Sequence, residues 1–238
     1  MFLTKHHDVF RTPPNGRAGN MKTIPYSTTT AAQLERLFQE DPPIPTRLWA
    51  ILDGTIQSRI LVDEPDDPTF AIVQDMVGGP TYFGFIDRIP DLQDAFARLR
   101  ACQELVICLW PNSPVIPCLP ASADYEGVAI DFLDRSPSVD LDPLAEIPSG
   151  YSMQRIDEEL AQRKDGFDYY VKMFGSLERA AKNMIGYCLV QGETIISEAV
   201  AAPITRGVAE MSVDTHEAFR QQGLGTIASA YVIRECKA

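Results

Sequence analysis

Apolar residues near the end of the chain recur at intervals of three and four. They predict a helix over Leu224–Cys236 with one apolar face that packs against a sheet. The apolar positions are Leu224, Ile227, Ala228, Tyr231 and Val232. Runs rich in β-branched and other apolar residues precede this helix and predict strands. These strands are expected at residues 151–156, 185–190, 194–201 and 208–214, with helical material at 157–183 and a hairpin turn at 191–193.

The first half of the chain predicts further elements of both kinds. A helix over Ala31–Glu40 should end at Asp41-Pro42-Pro43, because proline disfavours a helical conformation of the residue before it. The apolar run Trp49–Leu52 predicts a strand that turns at Asp53-Gly54 into a second strand at Arg59–Val62. Further strands are expected at 70–74, 82–86, 105–109 and 128–133, the third of them buried, and a helix capped by Asp91 should end near Ala101.

Prolines and acidic residues concentrate between residues 134 and 148, a composition typical of a linker. We therefore expect an α+β (mixed α/β) protein with two domains. A smaller mixed α/β domain is expected at 22–133, a linker at 134–149 and a second domain at 150–238. Residues 1–21 are expected to form a flexible tail, and Met1 and Met21 are both candidate start sites.

Charge and composition narrow the classes of partner. The chain has 238 residues and a net charge of −12, so it repels polyanions and we expect no nucleic-acid partner. The acidic surface suits a cationic amine, although simple solubility is the better explanation of the charge on composition alone. Apolar runs are shorter than the roughly 20 residues of a membrane helix, so no membrane partner is expected. The five scattered cysteines and three histidines lack zinc-site spacing, so we expect no metal and a cytoplasmic location.

The segment before the last helix combines a strand, a glycine-containing loop and a helix start. The strand Val208–Asp214 is followed, after five residues, by Arg220-Gln-Gln-Gly-Leu-Gly-Thr226. Unpaired N–H groups at a helix start favour a phosphate, and Gly223 and Gly225 would let it approach the main chain. Alternatively, the glycines only shape a tight connection. The segment lacks the Gly-Lys-Ser/Thr end of a Walker loop and the third glycine of a dinucleotide fingerprint, which disfavours nucleotide hydrolysis and NAD binding.

This loop resembles the signature of a known family. Arg220-Gln-Gln-Gly-Leu-Gly225 is similar to the Gln/Arg-x-x-Gly-x-Gly/Ala signature of the GNAT superfamily of N-acetyltransferases, and the predicted element order from residue 150 is also that of the family. Within the family, the chain resembles the zwittermicin-resistance type of acetyltransferase. That likeness lies in Phe174–Glu178, Gly186–Val190, Ser197–Ala199 and Thr215–Gly225, and it covers about residues 150–238 and little before them.

The resemblance implies a GNAT-like core that transfers an acetyl group from acetyl-CoA, as cosubstrate, to a primary amine of a small molecule or polypeptide. It implies that the pantetheine arm of the coenzyme lies along the backbone of Met211, Ser212 and Val213. The residues implied to surround the pyrophosphate are Arg220, Gln221, Gln222, Gly223, Leu224, Gly225 and Thr226.

A base must take a proton from the attacking amine. Glu210 resembles the placement of a glutamate used by some relatives, and Glu198 is the second candidate. A carboxylate flanked by apolar strand residues can be tuned for this role, but the same residues can simply face solvent. His216 is expected at the surface. Ser197 and Ser212 lie in no Gly-x-Ser-x-Gly elbow, which disfavours a hydrolase triad.

The sequence also departs from the family pattern after this helix. The family core continues after this helix with a strand, a helix and two strands, whereas the sequence stops at Lys237-Ala238. We therefore expect a truncated, weakly active acetyltransferase with Val208–Asp214 as an exposed edge strand, open to pairing in a homodimer.

Two other functions remain open at this stage. The runner-up is a non-catalytic acyl-CoA-binding or sensor module, and a pure interaction domain ranks third. The first domain is expected to shape the acceptor pocket, because ligand sites prefer clefts between domains. Tyr82, Phe83 and Trp110 are candidate lining residues, with a place in the core as the alternative.

Overall fold

The computed structural model describes residues 21–38, 46–77, 80–86, 89, 92–100, 106–109, 113–119, 140–163 and 166–238. These residues form two β-sheets with helices packed against them, so the mixed α and β architecture is confirmed. The predicted strand at 128–133, the capping residue Asp91 and the expected flexible tail to residue 20 lie outside the described residues.

The first sheet has five strands in the order β1-β2-β3-β4-β5. Neighbours are antiparallel except β4 and β5, which are parallel. The strands are β1 (Lys22–Ile24), β2 (Ser58–Val62), β3 (Phe70–Asp75), β4 (Pro80–Phe85) and β5 (Val106–Ile107). The helices of this half are α1 (Thr28–Glu35), continued by a 3-10 turn at Arg36–Phe38, α2 (Thr46–Leu52) and α3 (Gln93–Arg100).

The second sheet has four antiparallel strands in the order β6-β7-β8-β9. The strands are β6 (Ser152–Arg155), β7 (Ile185–Gln191), β8 (Thr194–Thr205) and β9 (Val208–Thr215). The helices are α4 (Glu158–Arg163), α5 (Asp168–Phe174), α6 (Leu177–Asn183) and α7 (Leu224–Lys237). The order predicted from residue 151 onward is therefore confirmed, element by element.

Local sequence explains several element ends of the second half. The side chain of Ser176 accepts a hydrogen bond from the Arg179 N–H and so caps the start of α6. Gly175 ends α5 in a left-handed conformation, with φ of 88°, which glycine adopts without steric cost. The turn between β7 and β8 has Gly192 at a φ of 61°, as a tight hairpin requires.

The two halves share one apolar core. A single cluster of buried side chains includes Leu48 and Ile51 of α2, Phe174 of α5 and Val200 of β8. Helix α2 lies against β3 of the first sheet and against β8 and β9 of the second. The sequence before the predicted linker therefore contributes directly to the surroundings of β9. The division into two domains at 134–149 stays a prediction.

The predicted strand at Trp49–Leu52 is wrong, and so is the hairpin at Asp53-Gly54. These residues complete α2, in which Leu48, Ala50, Ile51 and Leu52 are buried. A run of four apolar residues is compatible with a buried strand or a buried helix, because period alone does not separate them. The strand at Arg59–Val62 is present as β2, but it pairs with β1 and β3 instead.

The expected buried strand at 105–109 is also partly wrong. Its described part is the two-residue strand β5, and Val106 is 45% exposed. By contrast, the strands predicted at 70–74 and 82–86 are confirmed as β3 and β4. Along the described part of the chain, none of the helices has the length and apolar character needed to cross a membrane.

Candidate functional site

A cavity of about 500 Å³ lies at the start of α7, against the last residues of β9. It combines backbone from the loop with polar side chains and three apolar ones. The lining residues are Val213, Thr215, Phe219, Arg220, Gln221, Gly223, Leu224, Gly225, Thr226 and Ser229.

Among the residues that the structure describes, the backbone N–H groups of this loop have no internal partners. Among the described residues, no carbonyl or side chain accepts a hydrogen bond from the N–H of any residue from Gln221 to Thr226. The first N–H of the segment that is paired inside the protein belongs to Ile227, which donates to the Gly223 carbonyl over 3.2 Å. A run of unpaired donors at a helix start, with the positive end of the helix dipole behind it, favours an anion.

Left-handed residues alternate with others along this loop. Gln221 and Gly223 have φ angles of 64° and 78°, with Gln222 between them. Left-handed residues that alternate with others turn successive N–H groups to the same side, which makes a concave anion-binding arrangement. A side chain at Gly223 would meet no atom within 4 Å, so the backbone here is open to a ligand.

Gly225 has a different role from Gly223. A Cβ built on it would lie 3.1 Å from Val213 Cγ1 and 3.2 Å from Thr215 Oγ1. The missing side chain therefore lets the first turn of α7 pack closely on β9. The apolar face of α7 fixes this position further, since Leu224 and Ile227 pack with Leu189 and Ile196 in a buried cluster.

The two faces of β9 carry different chemistry, because side chains alternate along a strand. Val213 lies on the α7 side and lines the cavity, and Met211 lies on the same face. Ser212 and Glu210 lie on the opposite face, toward the first half of the chain. Glu198 of β8 shares that opposite face, because it pairs with Asp214 in the register.

Glu210 is held by Arg47, which is 163 residues away in the sequence. The Arg47 Nη2 donates to Glu210 Oε1 over 2.9 Å, and its Nε donates to Oε2 over 3.3 Å. The same guanidinium donates through Nη1 to Asp75 Oδ2 over 2.9 Å and to the Tyr169 hydroxyl over 2.8 Å. The candidate base is therefore part of a charged network that joins α2, β3, α5 and β9.

Tyr170, which follows Tyr169 in α5, also contacts this face of β9. The hydroxyls of Tyr170 and Ser212 lie 3.1 Å apart. Burial raises the pKa of Tyr170 above its usual range, and the hydrogen bond with Ser212 acts in the opposite direction. Tyr170 therefore stays protonated at neutral pH and can donate a hydrogen bond here.

Comparison with known proteins identifies the family. A model of the family described as GNAT acetyltransferase matches residues 35–238, which is more than half of the chain. The chain belongs to this GNAT acetyltransferase family. The match begins in the first half, well before the region from residue 150 that carries the sequence motifs.

Two individual proteins are similar to this chain. The uncharacterized N-acetyltransferase YdfB of Bacillus subtilis (strain 168) is 27% identical over 93 residues, which are 38% of this chain and 36% of YdfB. The match thus spans about a third of that relative. The crystal structure of a GCN5-related N-acetyltransferase-like protein from Streptococcus suis 89/1591 has a TM-score of 0.65 at 19% identity, over 87% of this chain and 85% of that one. It shows the same fold.

Most of the residues implied to bind the coenzyme line the cavity at the start of α7. Seven of them line it: Val213, Arg220, Gln221, Gly223, Leu224, Gly225 and Thr226. The side chains of three others do not line it: Met211, Ser212 and Gln222. Sequence reasoning missed Thr215, Phe219 and Ser229, which line the cavity without belonging to the signature. The alternation along β9 could have pointed to Thr215, two residues after Val213.

The lining residues suggested from the first half occupy other places. Tyr82 and Phe83 are 4% and 7% exposed and belong to two apolar core clusters, so the core alternative is the correct one for both. Trp110 lies outside the described residues. Within the described part of the chain, no group of three or more His, Cys, Asp or Glu side chains is arranged to hold a metal ion.

Proposed function

We propose that this protein is an acetyl-CoA-dependent N-acetyltransferase that acts on a primary amine of a small molecule or polypeptide. The observation that carries the proposal is the set of unpaired N–H groups from Gln221 to Thr226 at the start of α7. Family membership supports the chemistry, and the open backbone at Gly223 supports the position of the diphosphate.

The residues present fit a coenzyme A diphosphate. The alternating left-handed conformations at Gln221 and Gly223 favour donors on one side, the cavity volume is about 500 Å³, and Arg220 in its lining adds a cation. Arg220 is itself held in place, because its Nε donates to the Thr215 carbonyl over 3.0 Å. Acetyl-CoA, when bound, would supply the activated thioester. All other steps fall to the side chains and backbone of this chain.

The pantetheine arm is proposed to follow the outer edge of β9 at Met211, Ser212 and Val213. Strand β9 is the last strand of its sheet, and no described strand pairs with its outer edge. Its backbone N–H and C=O groups there are available to an extended ligand, as on any sheet edge. The exposed side chains of Met211 and Val213 give the same edge an apolar surface.

Glu210 remains the first candidate for the base and Glu198 the second. Both lie on the face of β9 and β8 that is opposite to α7, so an amine that approaches from this side meets carboxylates. The Glu210 side chain is 45% exposed, which leaves it accessible despite its contact with Arg47. Direct transfer from a thioester to a bound amine needs no covalent enzyme intermediate, in agreement with the absence of a nucleophile motif from the sequence.

The proposal also includes the zwittermicin-resistance type, a cytoplasmic location and a homodimer through β9. The unpaired outer edge of β9 is consistent with the last of these.

Turnover with a panel of primary amines tests the proposed function. Release of free thiol from acetyl-CoA is followed together with the mass of the acetylated amine. We expect both to appear in equal amounts with the native protein. Glu210→Gln should lower the rate by about 10²-fold or more, and Glu198→Gln should lower it less, with affinity for acetyl-CoA retained in both.

The same assay separates the alternative function. A non-catalytic acyl-CoA-binding module would bind acetyl-CoA and release no thiol with any amine, in the native protein and the variants alike. That result would show that the protein is a non-catalytic acyl-CoA-binding or sensor module and not an enzyme. Equal rates in native protein and in both glutamine variants would keep the enzyme but remove both glutamates as base.

A further inference from the structure

Arg47 of α2 joins Glu210 of β9 to a buried carboxylate of the first sheet, Asp75. We propose that Arg47 is a positioning residue for acetyl transfer, which acts by fixing the carboxylate of Glu210. This inference rests on the proposed function. It concerns a residue of α2, outside the loop and strand motifs that characterise the family signature.

The contact between Arg47 and Glu210 has the geometry of a fork. Two different nitrogens donate to two different oxygens, over 2.9 and 3.3 Å. Two parallel hydrogen bonds define the plane of the carboxylate, whereas a single bond leaves it free to rotate. Glu210 is on an edge strand and its side chain is 45% exposed, so without the fork it would sample several rotamers.

Arg47 is itself immobilised from its other side. Its side chain is 9% exposed, and that of its partner Asp75 is fully buried. The Tyr169 hydroxyl accepts a further hydrogen bond from Nη1. Burial lowers the pKa of Arg47, but the hydrogen bond and charge of Glu210 outweigh it and leave the pKa above its usual value. The guanidinium is therefore a fixed cation that holds a more exposed carboxylate.

The fork leaves room for catalysis by Glu210. An ionised carboxylate has about four lone-pair positions, and the fork uses two of them. The remaining positions can accept the proton that the attacking amine loses when its nitrogen forms the new bond to the acetyl carbon. The departing thiolate then takes up a proton from solvent or from a hydroxyl of the site. A carboxylate held in a fixed orientation accelerates proton transfer more than a carboxylate that rotates freely.

A purely structural ion pair between the two halves is the competing explanation. It predicts that a change at Arg47 lowers the stability of the fold and leaves the chemical step intact. Arg47→Lys separates the two, because lysine keeps the positive charge beside buried Asp75 but cannot form the fork. Arg179→Lys is the control, since Arg179 also joins the two halves, but through the carbonyls of Gly54 and Thr55 instead of a carboxylate.

A double-mutant cycle tests the proposal on the full chain. The rate constant of acetyl transfer to a saturating amine, the KM for the amine and the Kd for acetyl-CoA are measured for native protein, Arg47→Lys, Glu210→Gln and the double variant. We expect Arg47→Lys to lower kcat about 10- to 100-fold with the acetyl-CoA Kd unchanged. In the Glu210→Gln background the same change should have no further effect, because no base is left to orient.

The outcomes distinguish this inference from the proposed function. If the native protein acetylates amines but Arg47→Lys costs the same factor with and without Glu210, or costs nothing, the positioning role is wrong and the enzyme stands. If the native protein acetylates no amine, the proposed function fails and this inference fails with it. Should Arg47→Lys not fold, Tyr169→Phe replaces it. Losing one partner of Arg47 should lower kcat several-fold, again only when Glu210 is present.

Discussion

The guanidinium of Arg206 stacks on the indole ring of Trp49, with its central carbon 3.5 Å from the ring centroid. Arg206 belongs to the turn between β8 and β9, and Trp49 belongs to α2. The same guanidinium forms ion pairs with Asp53 and with Glu35 of α1. We call this group, Arg206 with Trp49, Asp53 and Glu35, the hairpin clamp. It fixes the end of the β8–β9 hairpin to the first half of the chain, and so fixes the strand that carries Glu210.

Breaking the hairpin clamp should destabilise the fold. Arg206→Met removes the stacking contact in part and both ion pairs completely. Because the Arg206 side chain is 35% exposed, we expect a modest loss of about 1–2 kcal/mol in the free energy of unfolding, measured by urea denaturation. The control is Lys22→Met, which breaks an ion pair with Glu64 whose two side chains are 51% and 69% exposed. It should change stability by less than about 0.5 kcal/mol. Equal losses in both variants would show that the clamp is no stronger than an exposed pair.

The clamp also predicts a dependence of stability on pH. Partial burial raises the pKa of Asp53, but hydrogen bonds from Arg206 and Thr205 outweigh it and leave this pKa below its usual value. A carboxyl whose folded pKa is lower than its unfolded pKa, about 3.9, stabilises the protein above that pH. This contribution should disappear as the pH falls through the lower folded pKa.

Urea denaturation between pH 3 and pH 7, a range set by the unfolded pKa of about 3.9, measures this effect. The difference in stability between native protein and Asp53→Asn should be largest at neutral pH and should shrink toward pH 3. A difference that stays constant across this range would show that the carboxylate charge of Asp53 contributes nothing.

The accuracy of the sequence predictions depended on how local the determining contacts are. The loop from Arg220 to Thr226 is recognisable because its signature lies in consecutive residues, with Gly223 in a left-handed conformation and the helix following directly. The network around Glu210 was not, since Arg47 is 163 residues away and its side chain carries no motif. Only the packing of α2 between the sheets brings the two together.

Helix α2 itself shows a second limit of sequence reasoning. The residues Trp49–Leu52 form a short apolar run, and a helix and a strand bury such a run equally well. The structure decides for a helix because α2 contacts both sheets at once, β3 on one side and β8 and β9 on the other. The second half was easier to predict, since its strands are longer and its turns carry glycine.

Close packing at Gly225 gives a prediction that links stability to binding. In Gly225→Ala the added Cβ would lie 3.1 Å from Val213 Cγ1, so Val213 or the first turn of α7 must shift by a few tenths of an ångström. We expect a loss of about 1 kcal/mol in stability and a several-fold weaker affinity for acetyl-CoA. Adding Val213→Ala removes the methyl group that the new Cβ contacts. The double variant should therefore recover part of the lost stability and part of the lost affinity for acetyl-CoA. If the double variant is no better than Gly225→Ala, the contact with Val213 is not the cause.

The central claim is that the open N–H groups at the start of α7 bind the diphosphate of acetyl-CoA. Gly223→Glu places a carboxylate at this position, and Gly207→Glu is the matched control. Both glycines have left-handed φ angles, 78° and 75°, and a Cβ at either would meet no atom within 4 Å. The cost of strain should therefore be similar, about 1–2 kcal/mol in each. Only Gly223 lies at the cavity.

Titration calorimetry with acetyl-CoA on the native protein and these two variants is the most direct measurement. We expect Gly223→Glu to weaken binding at least about 10-fold through repulsion of the diphosphate, and Gly207→Glu to bind like the native protein. Equal affinities of all three proteins for acetyl-CoA, or no binding by the native protein, would contradict the assignment of this loop.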